Sequence, residues 1–124
     1  RIGPRTDVVV APVFTALHAV AQALWGTRVQ VSAQDVYWEK QGAFTGEVSA
    51  PMLRDVGCTY CIVGHSERRA DHGENDALVR QKAEAVWRAG VTASTVRQRG
   101  SATTPVFLAR ATSLMKRSSS PLMR

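Results

Sequence analysis

The chain has 124 residues, 44% of them apolar and 21% charged. That allows one domain with a buried core and excludes wholesale disorder, and no apolar run approaches the ~20 residues of a membrane span. The net charge of +6 is uneven: residues 1–84 hold all ten acidic and nine of the sixteen basic residues, whereas 85–124 hold seven bases and no acid.

Val8 to Ala11 is a short β-branched run closed by Pro12 and reads as a buried strand. Leu17, Val20, Ala21 and Leu24 follow at i, i+3, i+4 and i+7, a helix with Thr15 as its expected N-cap and Gly26 as its stop. Val29 to Ala33 is a second strand, and the polar loop 34–47 places Gly42 and Gly46 where positive φ is needed. Ser49 is positioned to cap a short helix through Met52, Leu53 and Val56, stopped by Gly57. Cys58 to Val63 is a third strand run, leading into Gly64-His65-Ser66 and a polar turn. Asn75 caps a longer helix with Val79, Ala83, Val86 and Trp87 expected inside, and Asp76–Arg80 and Glu84–Arg88 paired outside. Gly90 ends it and Val91 opens a last strand.

Alternating strands and helices in units of about 20–30 residues predict βαβ units on a parallel sheet. The pattern stops near Thr92. Of the thirty-four residues from 91 on, twenty are Ser, Thr, Arg or Ala, which supply no apolar face, so 93–124 are expected to be an irregular, disordered basic tail. No basic-then-apolar leader follows Arg1, and two cysteines suit a reducing compartment, so a cytoplasmic protein is expected.

Two motifs bear on chemistry. Cys58-Thr59-Tyr60-Cys61 is a C-x-x-C, but residues three apart on a strand point to opposite faces, so packing is favoured over redox or metal use. Gly64-His65-Ser66-Glu67-Arg68-Arg69 follows a strand, and in parallel α/β folds ligands gather at the C-terminal ends of strands. If Ser66 caps a helical turn, the local N–H groups keep the His65 ring neutral, fit to donate to a carbonyl and pass a proton. A loop histidine in a solvated Glu/Arg cluster explains the same six residues equally well. His18 and His72 read as surface and turn residues, and a metal site from His65, Asp71 and His72 lacks ligand spacing.

Ala11-Pro12, Ala33-Gln34-Asp35, Gly42-Ala43-Phe44-Thr45-Gly46-Glu47, Val63 to Arg69, Gly73-Glu74-Asn75-Asp76 and Gln81-Lys82, in this order over residues 7–92, resemble the triosephosphate isomerase family. The resemblance implies part of a (β/α)8 barrel, roughly its second to fourth βα units. It also implies an enzyme of glycolysis and gluconeogenesis that interconverts dihydroxyacetone phosphate and glyceraldehyde 3-phosphate without cofactor or metal. His65 matches the neutral histidine that polarises the substrate carbonyl, a property for which this family is itself the standard example. Glu67 matches a buried supporting carboxylate. Thr45 and Glu47, with Gln34 and Arg68, match positions at a homodimer interface. The family's phosphate-holding lysine, glutamate base, mobile lid and Gly-rich phosphate loops have no counterpart in these 124 residues, so the isolated chain is expected to be inactive. A competing reading is a non-enzymatic binding protein that uses its +7 C-terminal tail. The tail's basic residues follow no helical stripe and carry little aromatic interleaving, which disfavours nucleic acid as a partner.

Overall fold

The computed structural model describes residues 7–95. Eight elements follow in chain order: β1 (Val8–Val10), α1 (Phe14–Ala23), β2 (Val29–Ala33), α2 (Ala50–Asp55), β3 (Tyr60–Ile62), α3 (Ser66–Asp71), α4 (Asp76–Arg88) and β4 (Thr92–Ser94). The strands form one parallel sheet in the order β1-β2-β3-β4. Each parallel step needs a helical crossover, which is why the sequence alternates as it does.

Strand side chains alternate, and here they divide the sheet into two faces. Val31, Ala33, Cys61 and Val63 join Leu17 and Ala21 of α1, Ala50 and Leu53 of α2, and Val86 of α4 in one buried cluster. Val9, Ser32 and Ile62, one residue out of phase, are buried but stand outside that cluster. Helices α1, α2 and α4 therefore cover one face, and every strand C-terminus opens onto the same edge.

Local chemistry accounts for most boundaries. Asn75 caps α4 by accepting from the Leu78 N–H at 2.9 Å. Gly42 and Gly46 adopt positive φ in the loop after β2, as their positions required. Helix α1 begins earlier than predicted: Val13 is its N-cap and Thr15 lies inside, because the helix starts directly after the φ-locked Pro12. Ser49 holds the N-cap position of α2, yet its hydroxyl makes no capping bond and is buried without a partner. The polar turn expected after His65 is a short helix, α3.

The inward face of α4 is Val79, Lys82, Ala83 and Val86. Trp87, expected inside, is 74% exposed because Lys82 takes the inward position one turn before Val86. The expected Asp76–Arg80 pair is replaced by Asp76–Arg69 and Arg80–Glu84, while Glu84–Arg88 forms as predicted. Among the described residues no helix is long and apolar enough to cross a membrane. The basic tail expected from 93 onward lies, past residue 95, outside the described residues.

Candidate active site

The loops at the C-terminal edge of the sheet converge through a few specific bonds. After β2, Gln34 Nε2 donates to the carbonyl of Ala11 at 2.9 Å, tying the second strand's exit to the first's. Asp35, the next residue, turns toward α4. Lys82 Nζ donates to Asp35 Oδ1 at 2.7 Å and also to Glu74 Oε1. Arg68 Nε closes the set, 2.6 Å from Glu74 Oε1 and 3.1 Å from Asp35 Oδ2. Two carboxylates and two cations thus link β2, α3, the turn before α4 and α4 itself.

The Glu74 side chain is 1% exposed and that of Lys82 4%. Burial alone raises the Glu74 carboxyl, but hydrogen bonds from Lys82 and Arg68 and their positive charges outweigh it and hold the group below its ordinary value. One oxygen, Oε2, is buried without a partner.

His65 stands three residues beyond β3 and is itself the N-cap of α3, the role expected of Ser66, which is the first helical residue. Its Nδ1 accepts from the backbone N–H of Glu67 at 3.2 Å. The Glu67 carboxylate is 3.7 Å from the same nitrogen. The two contacts demand opposite states: an ion pair needs a proton on Nδ1, which would face the amide hydrogen instead of accepting from it. The amide bond is shorter, and the Glu67 side chain is 72% exposed, so the acceptor role prevails. With Nδ1 as acceptor, a neutral ring carries its proton on Nε2. A ring so held, 12% exposed at the mouth of a strand, can donate to a carbonyl oxygen and take a proton back.

Glu67 was expected to be a buried carboxylate, and its exposure corrects that: it is the second residue of the six-residue α3, a helix with no buried residue. Thr45 and Glu47 sit on the exposed loop before α2, turned by a bond from the Glu47 N–H to the Phe44 carbonyl at 3.0 Å. Arg68 is engaged with Glu74 and Asp35. Asp35, Glu74 and Lys82 were not singled out from sequence as site residues. The available signal was a lysine at an inward helical position with two acids in neighbouring motifs.

His18 and His72 are exposed, as expected. Among the described residues no group of three or more His, Cys, Asp or Glu is placed to hold a metal ion. Cys58 precedes β3, so the two cysteines do not flank a strand on opposite faces; both join the helix-covered core as free thiols. Burial pushes the Cys58 thiol up to about 11. Burial raises Cys61 further, the negative charges of Asp35 and Cys58 adding to it and Lys82 opposing. At pH 8 native thiols are expected to react with iodoacetamide at least about a hundredfold slower than in urea. Equal rates would mean that the core is open.

The sequence profile described as triosephosphate isomerase matches residues 2–95. The triosephosphate isomerase of Trichlorobacter lovleyi is 57% identical over 86 residues, 69% of this chain and 34% of that protein. That of Roseiflexus sp. is 60% identical over 78 residues, 63% of this chain and 31% of the relative. The crystal structure of triosephosphate isomerase from Bartonella henselae superposes with a TM-score of 0.68 at 37% identity, covering 70% of this chain and 37% of that one. The chain thus spans about a third of the length of the relatives it matches.

Proposed function

The chain belongs to the triosephosphate isomerase family, and on that premise we propose that it supplies the carbonyl-polarising part of an isomerase site for dihydroxyacetone phosphate and glyceraldehyde 3-phosphate. The observation that carries this is the His65 ring at the exit of β3, oriented by the Glu67 amide on its Nδ1. In the reaction a base removes a proton from the carbon next to the carbonyl, and charge builds on the carbonyl oxygen. The Nε2–H of His65 meets that charge and relays the proton between the two oxygens, while the base returns its proton to the neighbouring carbon. Glu67 supports the ring through its backbone N–H. No cofactor enters this reading. A homodimer using the exposed Thr45 and Glu47, together with Gln34 and Arg68, and a cytoplasmic glycolytic setting are part of the same proposal and rest on family membership.

Grafting tests it. Residues 7–95 replace the matching segment of the Trichlorobacter lovleyi enzyme, which then supplies the other elements. The graft is expected to turn over triose phosphate in a coupled assay, and the isolated 124-residue chain to show nothing above background. A folded graft without turnover overturns the proposal, and turnover by the isolated chain overturns its division of labour.

A further inference from the structure

Arg69 lies beside His65 and plays no part in the four-charge network. Its backbone N–H donates to the His65 carbonyl at 3.0 Å, and its Nε donates to the Gly64 carbonyl at 3.2 Å. Its Nη1 reaches Asp76 Oδ1 at 2.8 Å, at the first residue of α4. One side chain therefore joins the turn that carries the imidazole to the start of the next helix.

The turn needs holding. Gly64 has φ +65, and a Cβ there would meet Val79 Cγ1 at 2.8 Å, so this backbone passes close under α4 in a conformation only glycine enters readily. Glycine also leaves the peptide free to rotate, and nothing in its own side chain fixes the direction of His65. We propose that Arg69 is a positioning residue for His65: its guanidinium fixes the Gly64 carbonyl against α4 and so keeps Nδ1 aimed at the Glu67 amide. The proposal deepens the functional reading and rests on His65 being the reacting ring. The two arms are unequal. Asp76 is 94% exposed, and such a pair contributes little in water. The bond to Gly64 is the working contact, and only a planar fork serves both partners from one stem.

The test reads the ring without substrate, so its failure is distinct from a failure of turnover in the graft. In the 15N-labelled 124-residue chain, Arg69→Met is expected to speed hydrogen exchange of the Glu67 amide about tenfold or more and to move the His65 nitrogen shifts toward a mixture of tautomers. Asp76→Asn is expected to leave both readings near wild type. Arg69→Lys, which keeps the charge without the fork, shifts both in the direction of Arg69→Met and decides the matter if the methionine variant does not fold. Wild-type exchange and shifts in a folded Arg69→Met or Arg69→Lys chain would overturn the assignment. An Asp76→Asn effect equal to that of Arg69→Met would also overturn it, since anchoring of α4 would then be the cause.

Discussion

Replacing Lys82 by methionine is expected to lower the unfolding free energy by about 3–5 kcal/mol, the usual cost of removing one partner from a buried ionic set. The ammonium serves Asp35 and Glu74 together. Without it two carboxylates face the single guanidinium of Arg68, and Glu74, 4% exposed as a residue, already carries one unpartnered oxygen. Adding Glu74→Gln to Lys82→Met is expected to recover part of the loss, because Asp35 and Arg68 remain a neutral pair. Urea melts with an unchanged m-value give the numbers, and a loss below about 1 kcal/mol would show that the set is hydrated like a surface pair. The same carboxylate sets an acid limit. Its folded value lies below the ordinary 4.5, so the unfolded chain binds the proton more readily, and stability is full above pH 4.5 and falls as pH drops further. On the alkaline side the sign reverses. Cys58 holds its proton to about 11 in the folded chain against an ordinary 9.0, so stability is full below 9 and falls above it.

His65→Gln in the grafted enzyme is expected to lower kcat about 10²–10⁴-fold, the range for removing a positioned acid–base group. Glutamine can still offer an N–H to a carbonyl, but it cannot pass the proton between the two oxygens. Ground-state contacts to the substrate phosphate come from the relative's own segments, so KM should move much less than kcat. Glu67→Gln separates the roles within the motif. The contact that orients the ring is the Glu67 backbone N–H, so that change should cost far less than loss of the ring.

Strand and helix order were legible in the sequence because periodicity and stops agreed: β2 spans Val29–Ala33 as read, and Asn75 caps α4. The departures at α4 share one cause. A reading that puts apolar residues inside and charges outside turned α4 so that Trp87 was buried and Lys82 ignored, when Lys82 is inside because two acids from other elements meet it. Those acids are 47 and 8 residues away in sequence, and no local pattern couples them. The C-x-x-C was misjudged in geometry because Cys58 closes the preceding helix rather than entering the strand, as the bond from its N–H to Leu53 shows. At the site, a histidine after a strand was readable. That His65 caps its own helix, and that Arg69 reaches back to Gly64, depends on side-chain directions that the one-dimensional pattern does not carry.

The most direct measurement is kcat of the graft with His65 and with His65→Gln, on protein free of host isomerase. Turnover by the first and a loss of about two to four orders of magnitude in the second, with KM nearly constant, is the predicted result. Full activity in the His65→Gln graft would contradict the role assigned to His65.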